Sequence, residues 1–293
     1  MKTAKTISFI KKHYFEISLA LPLFLYLVLF TYAPVMQVIA MSFDKSGSRP
    51  GFVFGFHHYH LIFGHFQFAK AFFNTVFIAV CGLFLELALG LYVAVQLNKR
   101  IKFRGMIRSL YILPLGIPTI VAAANMRYIF DTNGFLNSLL MKLNMITLPV
   151  DWGGGGFVTL FAVVVADMWK VTPLVMLVLL AGLQNIPEDV YEAARMDGAG
   201  PWQTFRHITL PLLKPSITMA VVIRGIDSFR IFELPLVLAG KAEPVLGTFV
   251  YAEYHEALNP YTSAAASVIL LLLILFCVAA YLSLTGTKDV SYP

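Results

Sequence analysis

Apolar positions in this chain do not recur every second or every third and fourth residue over short windows. They run together in six long blocks, about Ile17–Phe43, Ala71–Gln96, Met106–Phe130, Phe157–Leu183, Ile217–Val237 and Thr262–Leu284. Each is long enough for the roughly 20 helical residues that cross a bilayer. Helices are expected, because an open strand leaves its backbone groups unsatisfied in lipid. Pro34, Pro114, Pro118, Pro173 and Pro235 fall inside blocks, and each is expected to bend its helix locally. The first block exceeds the roughly 7–15 apolar residues of a cleaved signal, so it reads as a retained span. The pattern predicts an all-α membrane protein of six transmembrane helices in a single domain.

Composition agrees. The 293 residues are 58% hydrophobic and 13% charged, against about 45–50% and about 25% in ordinary soluble domains. The net charge of +6 therefore speaks for membrane orientation and not for nucleic acid. With the N-terminus inside, the inner segments hold Lys2, Lys5, Lys11, Lys12, Lys99, Arg100, Lys102, Arg104, Arg108, Arg195, Arg206, Lys214 and Lys288. The outer ones hold Lys45, Arg49, Lys70, Lys142 and Lys241. That bias predicts both termini in the cytoplasm. Two cysteines, Cys81 and Cys277, each within an apolar block, make neither a disulfide framework nor a thiolate metal site.

One polar stretch between the fourth and fifth blocks stands out: Glu192 to Pro215, EAARMDGAGPWQTFRHITLPLLKP. Pro187 is placed to open a short helix, with Glu188 and Asp189 at its positive end. Val190, Ala193 and Ala194 share a face by spacing. Gly198 suits a left-handed helix end. Gly200-Pro201 is placed to start a second short helix through about His207, and Leu210-Pro211 leads back to the membrane. The predicted product is a helix–turn–helix elbow on the cytoplasmic face, over about 184–215. Its small residues would let another protein come close.

Glu192-Ala193-Ala194, Asp197-Gly198, then Ile208 and Leu210-Pro211, at these spacings, resemble the coupling loop of binding-protein-dependent ABC importer permeases. The wider chain, from about residue 17 to 285, resembles the maltose-type F subunit of a carbohydrate importer pair in short six-span form. LNKRIKFRGMIRSLYILPLGIPTIVAA, DMWKVTP at 167–173 and RGIDSFRIFELPLVLAG at 224–240 carry that looser likeness. The large outer domain of some such subunits is absent, and the turn after the fifth span is Gly240-Lys241-Ala242-Glu243-Pro244. The resemblance implies a type I ABC importer permease fold in the cell inner membrane. It implies a second homologous permease, two ATPase subunits and an extracytoplasmic solute-binding protein as partners, with a carbohydrate as substrate. ATP and Mg would sit on the ATPases, with no cofactor on this chain. It implies that Glu192 meets a basic group on the ATPase and that Gly198 gives the turn.

Charges also fall inside the blocks. Arg224, Asp227, Arg230 and Glu233 recur every three residues, and Asp167 and Lys170 share that spacing in the fourth block. Neighbouring ion pairs along each helix are expected. Intramembrane charges face a cavity or a partner, so two readings stand: a polar wall of the substrate path, or an ion ladder against the second permease. Asn74, Asn125, Tyr128, Trp169 and Phe232 are candidates for sugar hydrogen bonding and stacking, with interhelical packing as the alternative. His57, His58, His60 and His65 lack the carboxylate or cysteine companions of a metal site and read as an interfacial aromatic belt. Gly153 to Gly156 lack the following Lys-Ser/Thr of a phosphate loop and read as a connector. No nucleophile–base constellation or Walker lysine can be placed, so ATP hydrolysis is left to partners. An ion-coupled secondary transporter using the buried charges is the competing function, and an integral-membrane enzyme a third.

Overall fold

The structure, a computed structural model, describes residues 14–47, 51–99 and 102–285. Several basic residues behind the orientation argument, Lys2, Lys5, Lys11, Lys12, Arg49, Arg100 and Lys288, lie outside them.

The described chain is helical, with one isolated bridge between Asp44 and Phe54. The first span runs through α1 (Tyr14–Leu27), a π turn (Val28–Tyr32) and α2 (Ala33–Phe43). Pro34 falls in the first turn of α2, so its missing N–H coincides with the end of the π turn. α3 (His57–Gly64) is short, and α4 (Phe66–Asn98) is the second span. The third expected span is two pieces: α5 (Arg104–Ile112) with a 3-10 turn (Leu113–Gly116), then α6 (Thr119–Ile129), bent by 97°. The cause is local. Pro114 and Pro118 remove two donors within one turn, and Ile117 is extended at ψ 131°. α7 (Phe135–Lys142) precedes α8 (Gly156–Gln184), the fourth span, which continues as one helix through Pro173.

The elbow follows as α9 (Glu188–Met196), α10 (Pro201–Thr204), a π turn (Phe205–Thr209) and α11 (Leu210–Leu212). It meets α12 (Lys214–Phe229) at 62°. The fifth expected span stops early. The chain unwinds over residues 230–232 before α13 (Glu233–Leu238). Then come α14 (Leu246–His255) and the sixth span, α15 (Pro260–Thr285). Four helices are individually long and apolar enough to cross a bilayer, and the two bent pairs raise this to six.

α4 and α8 form the central pair. Gly90 lets them meet closely: a Cβ there would lie 2.8 Å from Val175 Cγ1 and 3.2 Å from the Met176 nitrogen. Small residues at such crossings are how membrane helices gain packing contact without a hydrophobic driving force. Two apolar clusters flank the middle of the bundle. Val93, Leu97, Val175, Met176, Leu179, Leu183 and Leu213 fill the elbow end. Ile78, Val163, Val164, Leu234 and Val245 fill the far end. The first span contributes little to either: Leu19, Phe24 and Phe30 are exposed.

Far-end loops are tied down by Glu243, which the sequence did not single out. Its carboxylate takes the Lys70 ammonium at 2.9 Å, the Asn74 amide at 3.0 Å and the Gly156 N–H at 2.6 Å. Asn74 also donates to the Pro244 carbonyl at 2.9 Å. This joins α4, the start of α8 and the 241–245 turn. Burial alone would raise the Glu243 pKa, but these donors outweigh it and hold the carboxylate below its ordinary 4.5. Its stabilisation is therefore present above about pH 4.5 and lost as pH falls through the lowered folded value. Glu243→Gln is expected to lower the thermal midpoint at pH 7 and to flatten its fall below pH 4.5, by calorimetry of the solubilised protein. An unchanged acid limb in the variant would remove Glu243 from that role.

Candidate functional site

Between the two apolar clusters lies a polar node. The Arg224 guanidinium of α12 donates from Nε to Glu86 Oε2 at 2.8 Å and from Nη2 to Glu86 Oε1 at 2.9 Å. Nη2 also reaches Asp167 Oδ2 at 3.0 Å. The paired contact to Glu86 matches the planar fork of arginine to a carboxylate. Three spans, α4, α8 and α12, are thereby joined, with Arg224 and Glu86 buried. Asp227, one turn along, is 4.0 Å from Arg224 and about half exposed.

This corrects the expected pairing. The main partner of Arg224 is Glu86 on another helix, not Asp227 on its own. Asp167 pairs with Arg224, whereas Lys170 donates to the Ile117 carbonyl at 3.1 Å. That carbonyl is free because the chain is unwound between the 3-10 turn and α6. The ladder also cannot continue past Phe229, since α12 ends there; Arg230 caps it and Glu233 begins α13. Glu86 was missed although it is the one charge in the second apolar block, and an acid in that setting is itself a signal.

Beside the node opens a cavity of about 410 Å³. Asp167, Lys170, Asp227, Arg230, Phe232 and Glu233, six of the ten substrate-path candidates, line it, joined by Thr119 and Arg224. The break at 230–232 supplies its wall. The other four lie elsewhere. Asn74 is spent on Glu243 and Pro244. Asn125 and Tyr128 are exposed on α6, and Trp169 on α8 is partly exposed, without lining this cavity. The four histidines form no metal-type group among the described residues. His58 packs on Tyr261 and bonds the Asp44 carbonyl at 3.0 Å; His65 caps α4 by accepting from Gln67 N. They sit among Phe43, Phe54, Phe56 and Tyr59, as an aromatic belt does.

The elbow forms with small departures from expectation. Pro187 precedes α9 as its cap and not as its first residue. Glu188 and Asp189 occupy the first turn and Arg195 the last, each favourable to the helix dipole. Gly198 has φ +77°, and Ala199 N closes back on the Ala194 carbonyl at 2.9 Å. A Cβ at Gly198 would meet nothing within 4 Å, so within this chain glycine is required by conformation and not by space. Gln203 Oε1 accepts from Gly200 N at 3.0 Å. The second helix runs beyond His207 to Leu212 through a π turn. Thr209 Oγ1 bonds the Tyr191 hydroxyl at 3.3 Å, tying the two arms.

Ala194 and Leu213 are buried against the bundle. Glu192, Ala193, Asp197, Gly198, Leu210 and Pro211 face outward, and Ile208 is half-buried. Ala194 therefore seats the elbow on its own chain instead of meeting another protein. Among the described residues Glu192 is held by Arg195 alone, at 3.7 Å, both side chains mostly exposed. Trp202 and Met196 project beside them. A carboxylate and apolar side chains presented on a rigid arm, uncovered by the described residues, are fit to dock.

A helical bundle with a charged central cavity, broken helices lining it and an outward-facing elbow at one end is the architecture of a transport permease. Residues 86–285 match the family described as binding-protein-dependent transport system inner membrane component. The chain belongs to that family: it is a multi-pass ABC importer permease. It is 38% identical over 224 residues to the trehalose/maltose transport system permease protein MalF of Thermococcus litoralis, covering 75% of each chain. It is 33% identical over 272 residues to the arabinooligosaccharides transport system permease protein AraP of Bacillus subtilis, covering 89% of this chain and 85% of that one. Its fold matches a chain of a bacterial ABC transporter involved in import of the acidic polysaccharide alginate, with TM-score 0.85, 22% identity and coverage of 97% and 99%. The ion-coupled reading finds no support in these matches.

Proposed function

We propose that this permease carries an oligosaccharide or related carbohydrate across the inner membrane and forms half of the path with a second homologous permease. Relatives described as trehalose/maltose, trehalose and arabinooligosaccharide permeases favour the substrate class. A solute-binding protein delivers substrate at the end opposite the elbow. Two ATPase subunits, holding ATP and Mg, dock at the elbow on the cytoplasmic side, with both termini there. Glu192, Ala193, Asp197, Gly198, Ile208, Leu210 and Pro211 present the contact surface, and Ala194 anchors it.

Asp167, Lys170, Asp227, Arg230, Phe232 and Glu233 face the path. Charges of both signs supply donors and acceptors for sugar hydroxyls, and Phe232 supplies a ring face. The Glu86–Arg224–Asp167 node makes α4, α8 and α12 move together, so displacement of the elbow reaches the break at 230–232. The carrying observation is the elbow, rigid in itself and open on its outward face. The test is uptake by the reconstituted transporter with its binding protein across a panel of oligosaccharides, amino acids and inorganic ions. ATP-dependent uptake of a saccharide is expected. Uptake of amino acids or ions alone would overturn the substrate class, and uptake driven by an ion gradient without ATP would overturn the coupling.

A further inference from the structure

A second, smaller cavity of about 240 Å³ opens at the end of the bundle opposite the elbow. It lies outside the central charged cavity and shares no lining residue with it. Arg127, Asp131, Asp151, Trp152 and Gly154 are the residues that give it chemistry. Their convergence comes from Asn137 on α7, which is buried with no exposed surface. The Asn137 amide nitrogen donates to the Thr132 carbonyl at 2.9 Å and the Val150 carbonyl at 2.8 Å. Its oxygen accepts from Val150 N at 3.2 Å and from the Trp152 indole N–H at 3.0 Å. One side chain thus staples the 131–132 turn to the 150–152 strand of loop. A buried amide with its donors and acceptor all used holds one arrangement.

The lining groups are left half-committed. Asp131 Oδ1 accepts from Asn133 N at 2.9 Å and Asp151 Oδ1 from Gly153 N at 3.1 Å. In each carboxylate the second oxygen takes no hydrogen bond within the described chain. Arg127 Nη1 donates to the Val237 carbonyl at 2.9 Å, which fixes the guanidinium and leaves the rest of its fork open. The Trp152 ring is backed by Phe130, with centroids 5.9 Å apart. Two fixed acceptors, a fixed donor fork and an aromatic wall around a cavity of this size match one sugar ring. Vicinal hydroxyls donate to carboxylates and accept from a guanidinium at the same time. A bare cation is a poor fit, because Arg127 lies in the same wall.

We propose that this cavity is an outer saccharide subsite, where one ring of the substrate rests between release from the binding protein and entry to the central path. The proposal rests on the carbohydrate reading above. Asn137 is its positioning residue. Pre-organised groups lose little freedom on binding, so a weak, fast-exchanging site suits a relay.

The test uses the whole transporter in nanodiscs with Thr132→Cys, a lining position, alkylated by an impermeant maleimide. The probe is the saccharide best imported by the wild type in the panel. It is expected to slow alkylation at least about threefold, and Asp131→Asn with Asp151→Asn is expected to abolish that protection while keeping side-chain size. In uptake, the Asn pair is expected to raise the half-saturating substrate concentration about fivefold with the maximal rate kept within about twofold. Trp152→Phe, which keeps an aromatic ring but removes one of the hydrogen bonds to Asn137, is expected to give a smaller shift in the same direction. Protection unchanged by the Asn pair would overturn the subsite while leaving the carbohydrate reading in place. Protection by unloaded binding protein and none by saccharide would mark a protein-docking pit instead. If the wild type imports no saccharide, the carbohydrate reading falls and the subsite with it.

Discussion

Glu192→Lys is expected to abolish substrate uptake while leaving the helical bundle folded. The carboxylate is exposed, and its contact with Arg195 at 3.7 Å is a surface pair of the kind worth about 0–1 kcal/mol. The chain's own stability should therefore barely change. Its docking should change greatly. Reversing a charge at a partly buried contact with a basic group typically costs about 2–5 kcal/mol, which corresponds to about 30-fold or more in affinity. Gly198→Asp reaches the same end by another route. The open space around Gly198 means no clash inside the chain. The cost comes from forcing a side chain into φ +77° and from filling ground that an approaching backbone would need. Both variants are expected to reach the membrane at wild-type levels and lose uptake. ATPase subunits should either fail to co-purify or hydrolyse ATP without response to substrate. Normal uptake with Glu192→Lys would show that the elbow does not transmit motion, and the proposed mechanism would fall with it.

The elbow was legible in the sequence because its signals are local. Gly198 needs a left-handed φ, Pro201 opens a first turn, and acids and Arg195 take the two helix ends; none of this depends on a distant residue. What was misread depended on distance. Arg224 looked paired to Asp227 because both are on one helix, yet Glu86, far away in sequence, offers a fork-matched carboxylate at 2.8–2.9 Å. Spacing along a helix cannot see across to another. For Asn74 spacing leaves sugar bonding and interhelical packing both open, and the choice falls to Glu243, a loop residue distant in sequence that takes its amide. Apolar block length located the long helices, but it could not see that Pro114 and Pro118 together turn the third block through 97°, or that the helix of the fifth stops at Phe229. Those two interruptions supply the Ile117 carbonyl for Lys170 and the wall at 230–232, so the parts hidden from periodicity are the parts that make the cavity.

Arg224→Leu is expected to damage assembly more than removal of the whole node. The single change leaves Glu86 and Asp167 buried together with no cation between them. Breaking a buried pair in this way typically costs about 3–5 kcal/mol, a large share of what holds a domain together. Lys170 can step in only by giving up the Ile117 carbonyl that it now holds. Combining Arg224→Leu with Glu86→Leu and Asp167→Leu removes the stranded charges, and well-packed apolar replacements of buried ion pairs are often neutral or stabilising. The triple variant is therefore expected to recover membrane yield and thermal stability, measured by detergent-solubilised yield and melting. The functional outcome is separate. If the node holds α4, α8 and α12 as one moving body, the recovered triple variant should assemble with the ATPases and still import poorly, because apolar side chains allow the helices to slide. Normal import by the triple variant would reduce the node to a packing device. A single Arg224→Leu variant as stable as wild type would show that the carboxylates find other partners, and the node would then carry neither assembly nor motion.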